Sequence, residues 1–326
     1  MREAARDAEV GDDVYREDPS VNELEARAAD LVGMEAALYV PTGTMGNQAA
    51  ARTHTDHGQE VVVDVDAHVY EWELGGLAQL SGLQVRPVDA AEHAVVTPAQ
   101  FDDAHVAESL HKAGTGLLCL ENTHNSRGGV AVPKPRVDAV AEAAHDRGVP
   151  VHLDGARLFN ACVATDTDPA EMVATVDSVM FCLSKGLGAP VGSMVAGTEE
   201  FVERARRTRK LLGGGMRQAG VVAAPGLLAL ENVDRLAEDH DNARRLADGL
   251  DAVEGLSVPT PDTNIVNVDS TGAGLTPEEF EAAIETEGVL GGAHGDTTRL
   301  CTHLDVVRGD VEEAVERIER AVAGAA

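Results

Sequence analysis

The sequence predicts an α/β protein, with a large domain on a mostly parallel sheet flanked by helices and a smaller C-terminal α+β domain. Three observations predict it. Short apolar runs alternate with helical stretches through the first two thirds of the chain, the order that builds parallel sheets. Polar clusters follow the ends of those runs, at the carboxyl edge where open α/β sheets gather ligands. The last stretch changes to a strand–helix–strand–helix order, which places the domain boundary between residues 235 and 236.

Taken in order, Ser20 is positioned to cap a helix whose Val21, Leu24, Ala28 and Leu31 share a face, with Gly33 ending it. Strands are expected at Ala36–Val40, Glu60–Asp64, Gly116–Leu120, Val149–Leu153, Val179–Leu183 and Gly192–Gly197. Helices are expected after Thr44, at Arg136–Arg147, at Glu199–Leu212 and on to about Leu250. The second domain reads as strand Asn264–Asp269, helix Pro277–Glu287, strand Arg299–Leu304 and helix Val306–Val322.

Composition narrows function. The 326 residues carry a formal charge of −30 and few aromatics, 3%. The core must therefore rest on Val, Leu and Ala, and nucleic acid and anionic membranes are repelled. The acids are dispersed and lysine is scarce, as in cytoplasmic proteins that work in high salt. No apolar run approaches the roughly 18 residues of a membrane span. Cys119, Cys162, Cys182 and Cys301 have neither metal nor disulfide spacing and read as buried thiols in a reducing, cytoplasmic compartment. His54, His57, His105 and His111 fall on helices or their ends and read as solvated.

Lysine scarcity points to chemistry. Lys112, Lys134, Lys185 and Lys210 are the only four, and Lys185 follows a buried run, Val179-Met180-Phe181-Cys182-Leu183-Ser184. A desolvated amine can lose its proton and attack a carbonyl, which arginine cannot do. Four further clusters share that sheet edge: Thr42–Thr44, His68, Asn122–His124 and Asp154–Arg157. The turn Pro41-Thr42-Gly43-Thr44 opens a helix and offers free N–H groups to an anion. No dinucleotide-binding or Walker pattern occurs, and no metal-ligand spacing.

Six motifs then occur in order: Gly11-Asp12-Asp13-Val14-Tyr15, Pro41-Thr42-Gly43-Thr44, Glu121-Asn122-Thr123-His124-Asn125, His152-Leu153-Asp154-Gly155-Ala156-Arg157, Leu183-Ser184-Lys185-Gly186-Leu187-Gly188 and Gly213-Gly214-Gly215-Met216-Arg217-Gln218. Together the chain closely resembles low-specificity threonine aldolase, a pyridoxal-phosphate enzyme of fold type I. The resemblance implies Lys185 as the Schiff-base lysine and Asp154 as partner of the pyridinium nitrogen. It implies Gly43 and Thr44 at the phosphate, His68 stacked on the ring, and Ser184 beside the cofactor. Arg157 and Arg299 are implied to bind cofactor oxygen and substrate carboxylate, with Tyr15 and Trp72 also at the substrate. His124 is implied to face the substrate hydroxyl, and either His68 or His124 to take its proton. Lys210 and Arg217 match positions that reach a neighbouring subunit's phosphate, which implies a homo-oligomer, a dimer of dimers.

The implied reaction is retro-aldol cleavage of L-threonine or L-allo-threonine to glycine and acetaldehyde. The alternatives are a phenylserine aldolase, a serine hydroxymethyltransferase-like enzyme, or a cofactor-binding protein with impaired catalysis. Two departures bear on this. The family's short N-terminal arm, whose serine contacts the substrate carboxylate, has no counterpart, so the native start is expected upstream of Met1. Trp72 stands where the family has Phe or Tyr, near the substrate β-carbon.

Overall fold

Four central strands are buried along their whole length, the pattern of a sheet covered on both faces. A computed structural model describes residues 1–91 and 94–325. It divides into two compact units, Met1–Arg127 with Val132–Val233, and Gly128–Ala131 with Asp234–Ala326.

The first unit holds a seven-stranded sheet in the order β1-β7-β6-β5-β4-β2-β3. The strands are β1 (Ala36–Val40), β2 (Glu60–Asp64), β3 (Gln84–Val88), β4 (Thr115–Glu121), β5 (Val151–Asp154), β6 (Ser178–Cys182) and β7 (Ser193–Gly197). Only β7 runs against the rest, pairing antiparallel with both β1 and β6. The carboxyl ends of the other six therefore lie along one edge. β3 was not expected from sequence: it is the sheet's outer strand, contains Pro87, and has no apolar run to mark it.

Two glycines answer to this packing. Helix Gly43–His54 crosses the sheet so closely that a Cβ on Gly46 would lie 2.6 Å from Met180 Cγ. Gly192, at φ +107°, turns the chain into β7 where a Cβ would lie 2.3 Å from the Tyr39 hydroxyl. Tyr39 itself is fully enclosed, and burial pushes its phenol up to about 12.

Three local readings change. Asp18, not Ser20, caps helix Pro19–Leu31: its carboxylate accepts from Val21 N–H at 3.1 Å, while the Ser20 hydroxyl donates to Glu9 O. Asp18-Pro19 is the stronger signal, because Pro suits the first helical position and the residue before it is held extended. Cys301 is exposed, whereas Cys119, Cys162 and Cys182 are buried. His54 is no solvated helix residue: its ring stacks on Phe201 at 4.5 Å and its Nε2 meets Ser178 Oγ at 2.7 Å.

The second unit is a three-stranded antiparallel sheet, β8 (Ile265–Val268), β10 (Thr297–Cys301) and β9 (Gly292–His294), with β10 central. Helices Leu236–Asp251, Pro277–Thr286 and Arg308–Ala325 share its core of Leu246, Leu250, Val266, Val268, Phe280, Ile284, Leu300 and Ile318. Thr276 and Glu279 form a capping box at the start of the second of these helices. Among the described residues no helix is long and apolar enough to cross a membrane.

Candidate active site

The carboxyl edge of the large sheet holds a cavity of about 280 Å³. Four of the polar clues from the sequence reach it by a strand end, and the Asn122–His124 cluster does not line it. After β1 come Thr42, Gly43 and Thr44; after β2, His68; at the end of β5, Asp154; after β6, Ser184 and Lys185. Lys185 is half-buried and Asp154 fully buried. Thr42 caps helix Gly43–His54 by accepting from Met45 N–H at 3.1 Å. The N–H groups of Gly43 and Thr44 have no acceptor within the helix, as helix geometry requires, and both residues line the cavity.

Beneath the cavity lies a buried polar network. Asp154 Oδ1 accepts from Ala156 N–H at 3.0 Å and Oδ2 from Asn47 Nδ2 at 2.7 Å. The same Asn47 nitrogen donates to Glu73 Oε1 at 2.9 Å. Glu73 is further held by Gln48 Nε2 at 2.6 Å and faces His68 Nδ1 at 3.0 Å. The hydrogen bond that His68 gives to Glu73 raises the His68 pKa above its ordinary value, and burial raises that of Glu73. Glu121, at the end of β4, accepts from His68 N–H at 2.7 Å and from Asn125 N–H at 2.8 Å. Burial pushes its carboxyl up to about 8.

His68, Glu73 and Asp154 present ligand atoms within 4.8 Å of one another. Asn47 aims its amide hydrogens at both carboxylates, so donors rather than a cation already occupy the space between them.

Other predicted residues lie apart from the cavity wall. His124 is buried, with both ring nitrogens lacking a hydrogen bond and Nε2 3.8 Å from Asp64 Oδ2. Burial lowers its pKa. Arg157 donates to Asn125 Oδ1 at 2.8 Å. Trp72 is half-exposed, its indole N–H donating to Ser126 Oγ at 3.3 Å. Arg217 pairs with Asp12 at 2.7 Å and sits over the exposed Tyr15 ring at 5.9 Å. Lys210 lines a separate hollow with Arg204, Arg206, Arg207 and Arg209. Arg299 lies on β10 in the second unit, opposite Asn267.

Asn47, Gln48, Glu73 and Ser178 were not among the sequence candidates, and Glu121 and His152 appeared there only as motif members without a role. Only the acid five residues past His68 carried a signal, since a short helix and turn bring such a pair together.

The beta-eliminating lyase family model matches residues 1–272. A low-specificity L-threonine aldolase from Escherichia coli K12 is 43% identical over 316 residues, covering 96% of this chain and 92% of its own. The chain belongs to the low-specificity threonine aldolases. A second member, from Arabidopsis thaliana, is 39% identical over 330 residues, 99% of this chain and 92% of its own. The fold matches that of a putative L-allo-threonine aldolase from Listeria monocytogenes EGD-E, with a TM-score of 0.82, 20% identity, and coverage of 99% and 92%. Membership makes the chain a lyase of the threonine aldolase family on a fold-type I scaffold.

Proposed function

We propose that this aldolase family member binds pyridoxal phosphate and cleaves L-threonine and L-allo-threonine to glycine and acetaldehyde. One observation carries the reading: Lys185, Asp154 and the free N–H groups of Gly43 and Thr44 converge on one cavity. An amine, a carboxylate and an anion-binding helix start are the donor set that pyridoxal phosphate needs, and about 280 Å³ admits it. When bound, the cofactor supplies an electron sink for the pair released on Cα–Cβ scission.

The chain's own groups do the rest. Lys185 Nζ is the amine that holds the cofactor aldehyde. Asp154, buried and already fixed through both oxygens, presents a carboxylate to the ring nitrogen. Ser184 adds a hydroxyl at the rim. Arg157 suits the substrate carboxylate, because a guanidinium fork matches it in two bonds, and Arg299, on the second unit, offers the same chemistry. His68 is the better-placed base, since it lines the cavity whereas His124 is enclosed. With Nδ1–H given to Glu73, the neutral ring leaves Nε2 bare to accept the β-hydroxyl proton. Lys210 and Arg217, which do not line this chain's cavity, fit a role toward a second copy's phosphate in a homo-oligomer, and Tyr15 fits one toward the substrate. The charge of −30 fits work at high salt in the cytoplasm.

The test is direct. Protein purified with pyridoxal phosphate is assayed for acetaldehyde from each threonine diastereomer. Bound cofactor without acetaldehyde from either overturns the reaction but leaves the cofactor.

A further inference from the structure

A continuous line of hydrogen bonds leads from Asp154 to His54, and none of its inner members touches the cavity except Asn47. Three elements make it. His152 and Asp154 lie two apart on β5 and share a face. Asn47 and His54 lie seven apart on helix Gly43–His54, about 10 Å along one stripe of it. Ser178 opposes His152 across the β5–β6 pair. The contacts run Asp154 Oδ2 to Asn47 Nδ2 at 2.7 Å, Asn47 Oδ1 to His152 Nε2 at 3.1 Å, His152 Nδ1 to Ser178 Oγ at 2.8 Å and Ser178 Oγ to His54 Nε2 at 2.7 Å.

The direction of every bond follows from counting donors. Asn47 faces two carboxylates on one side, so its NH₂ points there and its carbonyl oxygen points at His152. That oxygen only accepts, so His152 carries its proton on Nε2 and leaves Nδ1 bare. Ser178 must then give its one hydrogen to Nδ1 and take one from His54 Nε2. Burial pushes His152 down to about 3 and His54 down to about 4, so both rings stay neutral, as this ordering needs.

We propose that His152, locked by Ser178 in its Nε2–H tautomer, is a positioning residue that orients Asn47 and thereby holds Asp154 as the acceptor for the cofactor's ring nitrogen. The proposal rests on the functional reading above and extends it to residues outside the cavity. Without the His152 donor, the buried Asn47 oxygen is left without a partner, and only the two carboxylates hold the amide in place. A turned amide would set its oxygen against Asp154 and Glu73 and favour protonating one of them, which removes the acceptor the ring nitrogen requires.

Two near-isosteric variants separate the two ring nitrogens. His152→Gln places an amide N–H where Nε2 sits and keeps the donor to Asn47. His152→Asn places an oxygen where Nδ1 sits, keeps the Ser178 contact and loses that donor. The readout is equilibrium binding to apoenzyme of pyridoxal phosphate against its analogue with C–H in place of the ring nitrogen, so no turnover is needed. The wild-type protein should prefer pyridoxal phosphate; His152→Asn should lose roughly tenfold or more of that preference and His152→Gln about threefold or less. Ser178→Ala, which frees the tautomer, should lose an intermediate share, and carries the test with His152→Gln if His152→Asn shows no cooperative melting. Equal losses in the Asn and Gln variants, no loss in any variant, or a greater loss in Gln than in Asn overturns the relay alone. Failure of the wild-type protein to bind either compound overturns the functional reading, and the relay falls with it.

Discussion

Two regions of one sheet solve the same problem in opposite ways. From the carboxyl end of β5 back to the start of β6, buried polar groups are joined by neutral donors and acceptors, from Asp154 through Asn47 and His152 to Ser178. At the end of β2 the work is done by charge: Arg127 gathers Asp64 at 3.1 Å, Asp66 at 2.9 Å and Asp89 at 3.3 Å, and His124 lies against that group without a hydrogen bond. The neutral network fixes directions; the charged cluster fixes a potential. Geometry-dependent chemistry belongs beside the first, and the second can shift without losing its field.

The comparison breaks most sharply at Lys185. Lys185→Ala should leave the fold intact and lower turnover by about 10⁴-fold or more, the scale of losing a nucleophile that nothing replaces. Near-normal acetaldehyde release would end the aldolase reading. Asp154→Asn should cost roughly 10²-fold in kcat with little change in KM, the scale of removing one aligned electrostatic partner. Its counterpart in the charged region, Asp64→Asn, should cost about tenfold at most, because Arg127 keeps Asp66 and Asp89. A larger loss at Asp64 than at Asp154 would reverse the ranking of the two regions.

The pH profile sharpens the same contrast through the two histidines. Glu73 holds a proton on His68 and raises its pKa above the ordinary 6.5, whereas burial lowers that of His124. A base must be unprotonated, so activity falls as pH drops through the pKa of whichever ring serves. With His68 as base, the acid limb of kcat/KM should lie above 6.5, and Glu73→Gln should move it down. A limb below 6.5 that ignores Glu73→Gln would transfer the role to His124.

Much of this was legible from sequence, and the failures have causes. β1 and β2 occur at the expected residues because apolar runs bounded by turn residues have one reading. β3 and β9 escaped because one is a polar outer strand and the other a three-residue strand beginning at a glycine. The cavity residues after each strand were visible because the topology of parallel sheets sends them to one edge. The partners of His54, Asn47, His152 and Ser178 were not, since they are set by register between β5 and β6 and by the helix crossing above them. A polar residue on a helix looks solvated until its neighbour across the sheet is known.

Salt should separate the regions last and least. Charges in dilute buffer act over about 30 Å at 0.01 M and about 3 Å at 1 M. A chain of net charge −30 repels itself across most of its surface, and that cost falls when the range shrinks. Screening also weakens the Arg127 pairs, but only toward Asp66 and Asp89, whose side chains are 40% and 72% exposed; Asp64, at 6%, is shielded from salt by burial. The neutral network carries no net charge between Asn47 and His54 and gives salt nothing to screen. Molar salt should therefore raise the melting temperature, while the ratio of Asp154→Asn to wild-type turnover stays constant across the same range. Melting temperatures that do not rise between 0.01 M and 1 M salt would mean that the surface acids are already neutralised by their neighbours. A ratio that drifts with salt would mean that Asp154 feels the surface field, and the division between the two regions would fail at its centre.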